Sequence, residues 1–256
     1  MRSYVCGQQK IMMIFLFIMF RCSVCYAQQS DLDSISTHNN YFNPKQLIAP
    51  AALITIGSFG VSNGWFCKVK QDVKEDFYHI RHDHRFRADD YLQYVPLATG
   101  IGLGFTGVDT RHPFRERLCV AVTASAVTAL IVNVTKYSVR EKRPDSEKRN
   151  SFPSGHTATA FMGAEMVRME YGNACGIGAY AFATGIGILR MYNDRHWLND
   201  VIAGAGVGIL STHIAYWLLP YERKLFGWNK QNMEAAIIPT YNTAEHSIGL
   251  CFSARF

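Results

Sequence analysis

Phe152-Pro153-Ser154-Gly155-His156-Thr157 is the stretch on which the reading of this chain turns. Pro and Ser mark a helix start, and Gly lets the backbone come close to a ligand. The unpaired amides of a first helical turn carry partial positive charge and suit an oxyanion. His156 stands at the mouth of that nest, where it can protonate a departing oxygen. Taken alone, the stretch fits a capped helix with an incidental histidine equally well. Two flanking stretches change the balance: Lys136-Tyr-Ser-Val-Arg-Glu-Lys-Arg143-Pro144 upstream and Arg190-Met-Tyr-Asn-Asp-Arg-His196-Trp-Leu-Asn-Asp200 downstream. Together they add three strong cations, a second histidine and a carboxylate.

His196 and Asp200 are four apart, so on a helix they share a face and the carboxylate reaches one imidazole nitrogen. Such a bond fixes the tautomer and leaves the other nitrogen as a nucleophile. Each piece also has a plain reading. An i,i+4 His/Asp pair is commonly a surface contact, Arg190 can anchor the exit of an apolar helix at a membrane interface, and Lys136 and Arg143 can be positive flanks. Their spacing relative to both histidines is what raises them to a phosphate site.

Lys-x6-Arg-Pro, Pro-Ser-Gly-His and Arg-x5-His-x3-Asp, in this order, resemble the type 2 phosphatidic acid phosphatase family, whose fold is shared with vanadium haloperoxidases. The resemblance covers roughly residues 91–220. It implies that His196 attacks phosphorus, oriented by Asp200, and that His156 protonates the leaving group. Lys136, Arg143, Arg190, Ser154 and the Gly155 amide would hold the phosphoryl oxygens. No metal and no cofactor are expected: three cations supply what magnesium supplies elsewhere, and no carboxylate cluster suited to Mg²⁺ accompanies the motifs. The third motif usually opens Ser-Arg, whereas Leu189 precedes Arg190 here, which removes one hydroxyl contact but no charge. Only eight residues separate Pro144 from Pro153, which limits any lid there. Arg140, Lys142, Lys148 and Arg149 lie around the first motif and either steer an anionic headgroup or simply solvate a loop.

The rest of the chain frames these motifs. Residues 1–27 carry Arg2, Lys10 and Arg21 with no acid, an apolar run at 11–20 and Cys25-Tyr26-Ala27, the pattern of an export signal, with an uncleaved anchor as the alternative. That leader holds three of the six net positive charges, so the remainder is too mildly basic to suggest nucleic acid. Segment 28–90 is expected to hold a polar lead-in, an apolar stretch at 47–61 and a charged amphipathic interval. His79, His82 and His84 of that interval read as part of a solvated or headgroup-facing segment rather than as metal-binding. Further apolar stretches at 94–108, 118–134, 157–169, 174–189 and 201–220 predict an all-α bundle of about six helices. It is expected to be membrane-embedded, with the site at one end and Gly204, Gly206 and Gly208 giving close helix contacts. Cys67, Cys119, Cys175 and Cys251 read as small apolar fillers. The tail at 221–256 ends in a strand-like alternation over 248–256, expected to extend along the bundle.

These readings lead to a phosphorylated membrane lipid as substrate, of the lipid A or undecaprenyl diphosphate kind, at the periplasmic face of an inner membrane. A soluble periplasmic acid phosphatase and a vanadate-dependent haloperoxidase are the alternatives. Arg111, Arg115, Arg117, Arg223, Lys224 and Lys230 would then be cytoplasmic. A cleaved leader puts residue 28 outside, so this topology requires that 47–61 not cross.

Overall fold

The computed structural model describes residues 43–81, 87–228, 234–242 and 247–255. The leader, the lead-in up to residue 42, and His82 and His84 lie outside the described residues. A 3-10 turn at Pro44–Leu47 opens into α1 (Ile48–Ser62), followed by α2 (Gly64–Arg81), α3 (Asp89–Leu92) and α4 (Val95–Gly102). A second 3-10 turn at Leu103–Thr106 leads to α5 (Phe114–Val139), α6 (Gly155–Tyr192) and α7 (Leu198–Leu225). The bundle from α1 to α7 is all-α, as its apolar periodicity predicts.

Phe114–Val139, Gly155–Tyr192 and Leu198–Leu225 are long and apolar enough to cross a membrane by length and composition. On α5 the residues facing outward, Leu118, Val122, Leu130 and Val134, are exposed large apolars, whereas Val120, Ala121, Ala124 and Val132 are buried. Water does not favour such an outer stripe; acyl chains do. α1 has 15 residues, about 22 Å of helix against the roughly 30 Å of a bilayer core. The axis bends by 92° into the next helix. The joint is Asn63, whose Oδ1 accepts from the amides of Trp65 at 3.0 Å and Phe66 at 3.1 Å and so caps α2. The charged interval at 68–81 is thus helical.

α6 is the element that gathers the site. A straight helix of its 38 residues would span about 57 Å, but Gly172 at φ 84°, ψ 178° reverses the chain. Ala160 and Ala164 consequently pack on Ala183 and Ile186, and Tyr180 donates to Glu165 Oε2 at 2.5 Å across the turn. The two apolar patterns at 157–169 and 174–189 are therefore separate antiparallel helices. α7 lies against the first of them. A Cβ on Gly204 would fall 2.6 Å from the Ser154 carbonyl and one on Gly208 2.2 Å from that of Ala158, and Thr212 donates to the Met162 carbonyl at 3.0 Å. The offset between partners stays constant, so the two helices run parallel from the same end, in contact through small residues. Gly206 faces α1 instead, where its Cβ would meet the Pro50 carbonyl at 2.8 Å.

The acids that interrupt the apolar pattern of α6 are paired far from its start. Glu165 takes Arg168 Nε at 2.7 Å and His213 Nε2 at 3.0 Å, and Glu170 takes His112 Nδ1 at 2.8 Å and the Tyr216 hydroxyl at 2.5 Å. Buried charges persist in this way when they are matched. Cys67, Cys119 and Cys175 form no disulfide, and Cys175 is packed with Val167 and Tyr171. The tail forms a two-stranded antiparallel hairpin of β1 (Glu234–Asn242) and β2 (Ser247–Arg255), with Glu234 opposite Arg255. The strand-like alternation of the last residues is therefore a paired strand, because a solitary one leaves its ladder groups without partners.

Candidate functional site

Four helix ends and two loops meet at one place: the end of α5, both ends of α6 and the start of α7. Lys136 is in the last turn of α5, and Arg190 is in the last turn of α6. Ser154 caps the start of α6: its Oγ accepts from the Thr157 amide at 3.4 Å and from the Thr157 hydroxyl at 2.9 Å. Ser154 is fully buried in this arrangement. The amides of Gly155 and His156 belong to the helical turn that lacks partners inside the helix. The Ser154 amide donates to the Asp200 carbonyl at 3.0 Å, which locks the second motif to the third.

His196 lies in the loop just before α7, and Asp200 is in that helix's first turn. Their four-residue spacing therefore works across a helix start rather than along a helix face, with His196 Nδ1 3.3 Å from Asp200 Oδ2. The same oxygen accepts from Ser151 Oγ at 2.5 Å and the Trp197 amide at 2.9 Å, and Asn199 Nδ2 reaches Oδ1 at 3.3 Å. Asp200 is fully buried, so this ring of donors is what makes its charge tolerable there. With Nδ1 held, Nε2 is the nitrogen left for chemistry. Burial pushes the His196 imidazole well below its ordinary value, with Arg190, Arg143, Lys136 and His156 adding to the shift. The structure thus brings together both histidines and all three cations named from the sequence.

The first motif is fixed by contacts that spacing did not reveal. Glu141 pairs with Lys70 Nζ at 2.7 Å and accepts from Asn199 Nδ2 at 2.9 Å. Burial, then Asp200, raises this carboxyl to about 7 against the pull of Lys70 and Asn199. Lys74 donates to the Pro144 carbonyl at 3.0 Å, Trp197 Nε1 to the Lys142 carbonyl at 2.8 Å, and Arg195 pairs with Asp145 at 3.0 Å. The short link between the first two motifs is therefore tied down from α2 and from the third motif. Arg143 donates from Nε to Asn150 Oδ1 at 2.8 Å.

Two further acids were missed. Asp89 accepts from Arg190 NH1 at 2.5 Å and from Asn193 Nδ2 at 3.1 Å. Asp90 Oδ1 lies 3.2 Å from Arg190 NH1 and 3.1 Å from His156 Nε2. Arg190 Nε is buried without a partner among the described residues. In the sequence Asp89 and Asp90 close a charged interval and look like solvated charge; about a hundred residues separate them from Arg190, and no local spacing marks the pairing.

The bundle brings three cations and two histidines together at its helix ends, and residues 117–224 match the PAP2 superfamily. The chain is similar to the lipid A 1-phosphatase of Porphyromonas gingivalis, 38% identical over 136 residues, which is 52% of this chain and 31% of that protein. The chain thus spans about a third of the length of that curated relative. Among solved structures it resembles Aquifex aeolicus LpxE, with a TM-score of 0.42 at 22% identity, covering 55% of this chain and 92% of that one. A transmembrane PAP2-type phosphatidylglycerolphosphate phosphatase from Bacillus subtilis is a second likeness, with a TM-score of 0.38 at 19% identity, covering 86% and 98%.

Proposed function

We propose that this protein is a membrane phosphatase that removes phosphate from a phosphorylated lipid through a phosphohistidine. The observation that carries the reading is the His196–Asp200 pair, with Nδ1 held by the carboxylate and the neutral imidazole crowded by Arg190, Arg143 and Lys136. His196 Nε2 attacks phosphorus, forming an N–P bond as the P–O bond to the leaving group breaks. Lys136, Arg143, Arg190, the Ser154 hydroxyl and the Gly155 amide carry the three phosphoryl oxygens and the charge that spreads over them in the transition state. His156, engaged by Asp90 through Nε2, gives the proton on Nδ1 to the departing oxygen. The neutral His156 then takes a proton from water, which attacks the phosphohistidine, and inorganic phosphate leaves with His196 restored.

The site is proposed to face the periplasm. Arg111 lies just before α5 and Arg115 in its first turn, with Lys136 in its last turn, about 30–40 Å away along the axis. With the start of α5 on the cytoplasmic side, the site faces outward. The relation to a lipid A 1-phosphatase favours a phosphorylated glycolipid over a prenyl diphosphate as substrate. The test is phosphate release by the detergent-purified full chain, with EDTA present, from lipid A, undecaprenyl diphosphate and a small soluble ester side by side. Preference for a lipid is expected. Preference for the small ester would move the protein to the soluble acid-phosphatase reading.

A further inference from the structure

Asn199 stands behind Asp200 and joins it to a second carboxylate. Its Nδ2 gives one hydrogen to Asp200 Oδ1 at 3.3 Å and the other to Glu141 Oε2 at 2.9 Å. Its own Oδ1 is buried without a partner among the described residues. An orphaned buried acceptor is costly, so the amide is oriented by the two carboxylates, each of which accepts and neither of which donates. Asn199 has no room to turn aside: it is fully buried, and a Cβ on Gly60 of α1 would fall 2.7 Å from its Cβ. Glu141 is in turn pinned from α2, where Lys70 Nζ meets its Oε1 at 2.7 Å in a buried pair. Lys70 Nζ also lies 5.3 Å from the centre of the Trp197 ring, and the Trp197 amide donates to Asp200 Oδ2 at 2.9 Å. The Glu141 carbonyl accepts from the Ser151 amide at 3.0 Å, and the Ser151 hydroxyl donates to Asp200 Oδ2. Three routes thus run from the Lys70–Glu141 pair to one carboxylate.

We infer that Lys70, Glu141 and Asn199 are positioning residues for the nucleophile, acting on His196 through Asp200. The inference rests on the phosphatase reading above. Lys70 occupies Glu141 Oε1 and leaves Oε2 to Asn199. Glu141 then holds one hydrogen of the Asn199 amide, which aims the second at Asp200 Oδ1. With that donor in place Asp200 keeps its negative charge and Oδ2 stays on His196 Nδ1. A flipped Asn199 amide would set its oxygen against Asp200 Oδ1, so the carboxylate would lose a donor and face a repulsion. α2, which precedes all three motifs, is thereby part of what orients His196. None of the three residues has a role in holding the phosphoryl group, so their effect falls on kcat rather than on KM.

The test uses the detergent-purified full chain, with lipid A and p-nitrophenyl phosphate as probes. It compares the parent with Glu141→Gln, Lys70→Met/Glu141→Gln and Lys70→Met/Glu141→Met. In Glu141→Gln the Lys70 ammonium takes the new amide oxygen, and the NH₂ left facing Asn199 makes that side chain flip. Both double variants remove the ion pair without leaving an unpaired buried charge. They differ in what faces Asn199: the first still presents an amide oxygen, and the second presents no acceptor. At a temperature where both are folded, kcat of Lys70→Met/Glu141→Gln is expected to exceed that of Lys70→Met/Glu141→Met and of Glu141→Gln about tenfold, the effect of one hydrogen bond to a charged group. KM is expected to stay within about twofold throughout. Equal kcat in the two double variants overturns the inference and leaves the Lys70–Glu141 pair a structural contact only, as does a difference confined to KM. If Glu141→Gln does not fold, the two double variants decide by themselves. A parent that releases phosphate from neither probe overturns the phosphatase reading itself, and this inference with it.

Discussion

Replacing Asp200 by Asn separates an oriented nucleophile from a merely buried histidine. Asp200 Oδ2 collects the Ser151 hydroxyl, the Trp197 amide and His196 Nδ1 at 2.5, 2.9 and 3.3 Å, while Oδ1 accepts from Asn199 at 3.3 Å. An amide oxygen at the Oδ2 position keeps three donors but turns its NH₂ against the Asn199 amide. The flipped amide sets its NH₂ against all three. Either arrangement removes the negative charge that stabilises the imidazolium formed as His196 is phosphorylated. Hydrogen bonds to a charged group contribute about 1.5–3 kcal/mol against about 0.5–1.5 for neutral ones. A comparable carboxylate-to-amide change in a Ser–His–Asp triad lowers kcat about 10⁴-fold. Because Ser151 and Trp197 still help to place the side chain here, the expected loss is about 10³-fold, about 4 kcal/mol of transition-state stabilisation. The assay is single-turnover phosphate release by Asp200→Asn and the parent, with thermal unfolding of both in the same detergent. A folded variant whose turnover stays within tenfold of the parent would refute the assignment of His196 as an Asp-oriented nucleophile.

Three further outcomes follow from other contacts. His196 must be neutral to attack, and burial with four positive neighbours holds its pKa well below 6.5. The acid limb of kcat/KM, which reports the free enzyme, is expected below that pH, and Arg143→Gln, by removing one positive neighbour, raises the His196 pKa and moves the limb upward; a limb that moves down in that variant contradicts the proposed electrostatics. Asp90→Asn frees Arg190 NH1 from a half-exposed carboxylate, so inhibition by inorganic phosphate is expected to tighten about three- to fivefold, and weaker inhibition would mean that Asp90 instead helps to build the site. Gly172→Ala meets no neighbouring atom yet forces φ 84°, ψ 178° on a residue with a Cβ; the expected cost is about 2 kcal/mol, seen as a lower thermal midpoint, and an unchanged midpoint would show that the reversal does not depend on that conformation.

Most of the bundle was legible because membrane-type helices declare themselves through long apolar runs, and the runs at 118–134, 157–169, 174–189 and 201–220 all fall within helices. The close contacts of Gly204 and Gly208 could also be anticipated, since a spacing of four places both on one helix face. Gly206, off that face, packs against α1 instead. Pairings between distant acids and bases were not legible. Asp89 with Arg190 and Lys70 with Glu141 join segments that no periodicity relates, and each partner in isolation reads as ordinary surface charge. The hairpin was half legible: the alternation over 248–256 was visible, but its partner Glu234–Asn242, with Pro239 inside it, carries a weaker strand pattern.

The sequence by itself marked out the candidate chemistry. Lys136, Arg143, Ser154, Gly155, His156, Arg190, His196 and Asp200 fall in three short motifs, and the resemblance of those motifs to a phosphatase family is what suggests the roles proposed for them. The tertiary structure decided which nitrogen of His196 stays open, how Asp200 keeps its charge in a buried position, and which acids stand beside Arg190 and His156. The division has a physical cause. Helix formation and capping depend on neighbours within about four residues, whereas the solvation of a buried charge depends on whichever groups the folded chain brings to it.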